Sequence, residues 1–166
     1  MVKYTDETEA MLLGLISDTH GLLRLEAKSA LQGVDRILHA GDVGDPEILT
    51  ELEKIAPVIA IRGNVDAAGR FPALPETEVV EAEGATLYLL HDLARLDLKP
   101  EAAGIAAAIY GHSHQPKIEE KNGVLYINPG SAGPRRFNLP ITVGKLRIKK
   151  GKLTAEIIEL QITAKK

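Results

Sequence analysis

Short apolar runs, each closed by a turn signal, set the rhythm of this chain. Leu13–Ile16 stops at Ser17-Asp18-Thr19-His20-Gly21, and a run of that length with such a boundary reads as a buried strand. Leu23, Ala27, Ala30, Leu31 and Val34 then recur at helical spacing, with Gly33 near the end. Arg36–Ala40 is a second strand, followed by Gly41-Asp42-Val43-Gly44. Asp45 suits an N-cap and Pro46 the first helical position, so a second helix follows with Ile48, Leu49, Leu52 and Ile55 on its buried face. Pro57 ends it, and Val58–Ile61 is a third strand running into Arg62-Gly63-Asn64. This β-α-β-α-β order implies parallel strands joined by right-handed crossovers.

From Thr77 the pattern changes to hairpins. Thr77–Ala82 and Ala85–Leu90 are strands joined at Glu83-Gly84, and the second ends at His91. Leu93–Gly104 reads as one short helix or two turns. Ala106–Tyr110 is another strand, ending in Gly111-His112-Ser113-His114. Asn122-Gly123 marks a hairpin between Lys117–Glu120 and Val124–Ile127. Asn128-Pro129-Gly130-Ser131 is a tight turn of type II pattern, with Gly130 at the left-handed position. Ile141–Ile148 and Leu153–Leu160 meet at Lys150-Gly151. The expected architecture is α/β: two mixed sheets packed face to face with helices outside, a four-layer α-β-β-α sandwich. Its 166 residues suit one domain spanning 1–166, with residues 1–10 a loose lead-in.

Composition removes several functions. There is no cysteine, hence no disulfide, thiolate metal site or cysteine nucleophile. The net charge of −3 supplies no basic field to recruit nucleic acid, and no basic groove or aromatic platform stands out. No apolar run approaches the ~20 residues needed to span a bilayer. The acidic, polar N-terminus lacks the basic and apolar regions of a signal peptide, so a cytoplasmic protein is expected. A homo-oligomer is compatible with the sequence.

The candidate chemistry sits where the apolar runs stop. Asp18 and His20, two residues apart, share a face if the strand continues, and an oxygen donor beside an imidazole suits a divalent transition metal. His112 and His114 repeat that spacing. Asp42, Asn64 and His91 also follow strands. Singly, each motif has a plainer reading as a turn, a helix lead-in or a core histidine. Jointly, seven donors at one sheet edge exceed what one ion needs, and suit two ions sharing a carboxylate. His39 falls three residues before Asp42 and points to the other face of a regular strand, as a core or supporting histidine. Arg135 and Arg136 follow the Asn128–Ser131 turn; either is a candidate phosphate clamp or a plain surface arginine. Lys145–Lys152 reads as a solvated basic edge that discourages strand pairing.

The ordered set Asp18-Thr-His20, Gly41-Asp42, Gly63-Asn64, His91 and Gly111-His-Ser-His114 resembles the signature of calcineurin-like metallophosphoesterases. The compact length, His39-Ala-Gly-Asp42 and Asn128-Pro-Gly-Ser131 resemble its small YfcE-type phosphodiesterase branch, which includes the retromer subunit Vps29. The similarity runs from about Leu13 to Ser131. It implies that Asp18, His20 and His114 bind one ion, that Asn64, His91 and His112 bind the other, and that Asp42 bridges them. It further implies hydrolysis of a small phosphate ester, a diester rather than a monoester, by in-line attack of a hydroxide held between the ions. Asn64 would also assist the phosphate; Arg135, read from its place after the turn and not from the resemblance, is the candidate clamp beside it. The cofactors would be two divalent transition ions, Mn²⁺ favoured, with Fe²⁺, Ni²⁺, Co²⁺ or Zn²⁺ also suited to nitrogen and oxygen donors. The alternatives are a phosphomonoesterase, or a Vps29-like interaction scaffold with a vestigial metal site.

Two positions depart from the family pattern. Gly63-Asn64-Val65-Asp66 stands where the fuller motif is Gly-Asn-His-Glu, so Val65 replaces the histidine assigned to protonating the leaving group. His91-Asp92-Leu93 stands where a Gly-His pair often follows the ligand histidine.

Overall fold

The computed structural model describes residues 10–66 and 74–162; the expected lead-in lies almost entirely outside them. Strands β1 (Met11–Ile16), β2 (Arg36–His39), β3 (Val58–Ala60), β9 (Thr142–Lys149) and β10 (Lys152–Glu159) form one sheet in the order β10-β9-β1-β2-β3. Strands β4 (Thr77–Ala82), β5 (Ala85–Leu90), β6 (Ala107–Ile109), β7 (Lys117–Lys121) and β8 (Val124–Asn128) form the other in the order β4-β5-β6-β8-β7. Both sheets are mixed. β1, β2 and β3 run parallel, with β9 antiparallel to β1. β5, β6 and β8 run parallel, with β4 and β7 antiparallel at the edges.

Between the sheets lies an aliphatic core that includes Leu13, Leu15, Leu38, Leu87, Leu89, Ile109, Ile127 and Leu146, all fully buried. Strand alternation puts Ile16 and Ile37 on the opposite face, against α1 (Leu25–Ala30) and α2 (Pro46–Glu53) through Ala27, Leu31, Ile48 and Leu52. Gly14 lets α1 sit close, since a Cβ there would lie 2.6 Å from Leu31 Cδ2. The Asp45 carboxylate accepts the Glu47 N–H, as its N-cap position requires. On the outside of the second sheet the covering layer is not an α-helix. Leu93, Leu96, Leu98 and Ile105 pack over Tyr88, Tyr110 and Tyr126 from a 3₁₀ turn (Leu93–Arg95) and irregular chain.

Three hairpins close with two residues of positive φ: Glu83-Gly84, Asn122-Gly123 and Lys150-Gly151. This is the type I′ geometry whose twist matches paired strands. Gly130 has φ +81° and its N–H is held by the Asn128 side chain at 2.8 Å, as the turn pattern anticipates.

Parallel strands aim their carboxyl ends the same way, and here both sheets aim them at one edge. The loops after β1, β2 and β3 meet the loops after β5, β6 and β8 there, the position where α/β sheets collect ligands. Among the described residues no helix is long and apolar enough to cross a membrane.

Thr142 Oγ1 lies where a side chain at Gly130 would have to go. Gly130→Ala, strained by its φ as well, is expected to lower stability by about 1–3 kcal/mol, measured by denaturant unfolding.

Candidate metal centre

Asp18 and Asp42 form the heart of this edge. Asp18 is fully buried and Asp42 nearly so. Each uses one oxygen to hold the backbone and turns the other toward imidazoles. Asp18 Oδ2 accepts the Ser17 hydroxyl (2.7 Å) and the His112 N–H (3.1 Å). Its Oδ1 lies 3.6 Å from His20 Nε2, 3.8 Å from His91 Nε2 and 3.5 Å from His114 Nε2. Asp42 Oδ1 accepts the Val65 N–H at 3.0 Å. Its Oδ2 lies 3.4 Å from His20 Nε2 and 3.1 Å from His91 Nε2.

Asp18 Oδ1, His20 Nε2, His91 Nε2 and His114 Nδ1 are buried and have no hydrogen-bond partner among the described residues. Leaving four such atoms unpaired in one place is costly unless something binds them. Two donors about 2.1 Å from one ion stand about 3.0 Å apart at a right angle and about 3.4 Å apart at a tetrahedral angle, close to the spacings here. Two groups have ligand atoms all within 4.8 Å of one another: Asp18, His20 and His114, and Asp18, Asp42 and His91. The donors therefore fit divalent ions.

The loops reach this geometry by a different route from the one expected. Strand alternation accounts for neither Asp18/His20 nor His112/His114. β1 ends at Ile16, β6 ends at Ile109, and Asp18, His20, Asp42, His112 and His114 all have positive φ, between 47° and 77°. Left-handed backbone costs a residue with a Cβ roughly 1–2 kcal/mol, and Asp and His are among the residues that most often occupy it. Small neighbours make the close approach feasible. A Cβ on Gly63 would collide with Asp42 Oδ1, and one on Gly111 with Ser17 Oγ and Asp18 Oδ2.

Charge sets the protonation of the cluster. Burial opposes ionisation of Asp18, yet His20, His91, the Ser17 hydroxyl and His114 outweigh it and hold its pKa below the ordinary value. Asp42 is also opposed by burial, and is held down to about 2 by His91 and the Val65 N–H. His20 is raised, chiefly by Asp18. His91 is raised to about 9, the Asp42 carboxylate and the Ala40 carbonyl overcoming its burial. His91 Nδ1 sits 2.7 Å from Ala40 O, so it donates there and leaves Nε2 for the centre. His114 is lowered by burial, with Arg136 and His20 adding to the effect.

The other candidates divide. His112 packs edge-on against His91, ring centroids 5.3 Å apart, with its side chain 44% exposed. Asn64 is exposed and lines, with His91, a cleft of about 640 Å³ that also includes Arg62, Tyr88, Asp92 and Arg95. Arg135 donates to the Leu139 carbonyl at 2.9 Å. Arg136 is the arginine whose charge acts on His20 and His114.

His39 takes the supporting place expected of it. It is fully buried on the helix side of β2. Nδ1 accepts the Gly41 N–H at 3.1 Å, so the neutral ring carries its proton on Nε2 and gives it to Thr19 Oγ1 at 3.0 Å. Thr19 in turn donates to Val43 O at 2.8 Å. Burial holds the His39 pKa down to about 4.

Sequence reasoning assigned no role to three residues that build the centre. Asp66, fully buried, accepts the N–H groups of Val43 (2.9 Å), Gly44 (3.0 Å) and Gly63 (3.1 Å) and so locks the Asp42 loop to the Asn64 loop. Asn128 donates to Gly111 O and Ser113 Oγ, fixing the His112–His114 loop. Ser131 donates to Asp18 O. The visible signal was a polar residue in the same short motifs as the ligand candidates or, for Asn128 and Ser131, in the Asn128–Ser131 turn.

Two mixed sheets with a candidate metal centre at one edge frame the site, and comparison with known proteins places the chain. Residues 11–151 match the calcineurin-like phosphoesterase superfamily domain, and the chain belongs to that family. A probable metallophosphoesterase of Methanothermobacter thermautotrophicus is 39% identical over 160 residues, covering 89% of this chain and 92% of that protein. The phosphodiesterase YfcE of Escherichia coli K12 is 28% identical, covering 82% and 87%. In fold, Vacuolar Protein Sorting 29 of Cryptosporidium parvum superposes with a TM-score of 0.73 at 21% identity, over 92% of this chain and 99% of that one.

Two outcomes are expected from this geometry. Gly111→Ala should displace Asp18 and strip bound metal, read by elemental analysis after desalting, with a folded circular dichroism spectrum retained. In chelated protein, His39 contributes a pH-dependent stability. Its folded pKa of about 4 lies below the ordinary 6.5, so the unfolded chain binds the extra proton between these values. The contribution is whole above pH 6.5 and is lost as pH falls toward 4, roughly 3 kcal/mol in all. Urea titrations should show that loss in the wild type and a flatter difference in His39→Gln.

Proposed function

We propose that this protein is a dinuclear metal-dependent phosphodiesterase. The observation that carries the reading is the pair of buried carboxylates, each with one oxygen committed to backbone and the other facing imidazole nitrogens that lack partners. Asp18, His20 and His114 would hold one ion, Asn64, His91 and His112 the other, and Asp42 would serve both. Divalent ions held by these residues would supply Lewis-acid polarisation of a phosphate ester and an activated water for its in-line hydrolysis.

The chain's own residues do the rest. Asp66 and Asn128 fix the loops so that the donors need little rearrangement when ions bind. Arg136 brings positive charge toward the face formed by His20 and His114, where a phosphate dianion or diester monoanion would be neutralised; Arg135 stands beside it. The cleft next to His91 and Asn64 offers room for a second ester group, which favours a diester over a monoester. The likeness to a phosphodiesterase at 28% identity points the same way. Val65, 53% exposed, offers only its backbone N–H, and that is given to Asp42. No side chain at this position protonates the leaving group.

Elemental analysis of Mn²⁺- or Zn²⁺-loaded protein should give close to two ions per chain, and His114→Ala should abolish most hydrolysis of bis-nitrophenyl phosphate. Full loading with no hydrolysis of any ester would favour an interaction scaffold instead. General acid catalysis is typically worth about 10²–10⁴-fold. Rates across aryl and alkyl diesters should therefore fall steeply as leaving-group pKa rises. A flat series, with chemistry limiting, would mean that another group supplies the proton.

A further inference from the structure

His112 is the candidate histidine ligand that the tight clusters leave out, yet its ring has neighbours on two sides. One is the edge-on contact with His91, at 79° between ring planes. The other is Asp92, whose Oδ2 lies 3.9 Å from His112 Nε2. Asp92 is itself anchored, because its Oδ1 accepts the Ala94 N–H at 3.1 Å and caps the 3₁₀ turn Leu93–Arg95. One oxygen serves the fold and the other faces an imidazole, as in Asp18 and Asp42.

We propose that Asp92 is a positioning residue for His112. It accepts the Nε2–H of His112 and so leaves the ring's lone pair on Nδ1, the atom that then serves the ion shared with His91 and Asn64. This rests on the two-ion reading above. A neutral imidazole carries one proton, and the partner of one ring nitrogen decides which nitrogen is free to ligate. His91 is fixed the opposite way, its Nδ1–H on Ala40 O and its Nε2 free. The two neighbouring histidines would thus ligate through different nitrogens, each set by an oxygen outside the centre. The gap of 3.9 Å is longer than a hydrogen bond, and such contacts often tighten only when the site is filled. Both side chains are partly exposed, 44% and 31%, and have room to rotate.

The test uses Asp92→Ser. Serine keeps the cap on Ala94 but is too short to reach His112. Long-range ¹H–¹⁵N spectra of zinc-loaded, histidine-labelled protein report which ring nitrogen of each histidine carries the proton, and calorimetric titration of chelated protein with Zn²⁺ reports both sites. The wild type should take two zinc ions and show His112 with its proton on Nε2. Asp92→Ser should lose that fixed tautomer and bind one of the two ions about 10–100-fold more weakly, the other unchanged. The Nδ1–H signal of His91 in the same spectrum verifies that the edge remains folded; Asp92→Thr, a second capping residue, repeats the test if it does not. Two zinc ions bound by Asp92→Ser as tightly as by wild type, or a wild-type His112 protonated on Nδ1, would overturn the proposal alone. A wild type that takes only one zinc would overturn the two-ion reading and this proposal with it.

Discussion

Two carboxylates do not stay ionised side by side in a protein interior unless positive charge stands between them. Asp18 and Asp42 are buried with facing oxygens within 4.8 Å, and the architecture around them answers that constraint. Three imidazoles surround Asp18 Oδ1, and two of these also face Asp42 Oδ2. Protons supply the balancing charge in part, as the raised His20 and His91 show. A divalent ion supplies more charge at shorter range, which is why the donors read as a metal centre rather than as an ion-pair network.

The fold's contribution is direction. Two mixed sheets place six parallel-strand ends at one edge, and the loops there carry every candidate donor. Glycines and left-handed residues let those loops turn sharply enough for carboxylates and rings to converge. Five strained positions add up to several kcal/mol at the general rate for such backbone. That cost persists because Asp66, Asn128 and Ser131 hold the loops from behind.

Much of this was legible in the sequence, for identifiable reasons. Period-two and period-3.6 patterns located the strands and both helices, because burial enforces them. The type I′ turns announced themselves through Asn122-Gly123 and its two relatives. The covering of the second sheet was ambiguous because Leu93, Leu96 and Leu98 follow neither period cleanly, and they do pack from a short 3₁₀ turn and irregular chain. The donors were legible as residues at strand ends, but the reason offered for their convergence, strand alternation, does not apply. Backbone sign is not written in side-chain periodicity. Asp66 escaped notice because its partners are main-chain N–H groups on another loop, and a sequence shows no backbone geometry. The hydrogen bond from Arg135 to Leu139 O joins two loop residues and likewise leaves no trace in the sequence pattern.

The bond from the His112 N–H to Asp18 Oδ2 joins residues 94 apart in the chain, and Ser131 reaches Asp18 O across 113. Contacts so remote in sequence form late, after loop closure has been overcome by the two sheets coming together. The complete donor cluster therefore needs both sheets in place. Its grip belongs to the finished structure. An ion bound by such a cluster would act as a brake on unfolding more than as an aid to folding, so the lifetime of the native state, more than its formation, would follow the supply of ions.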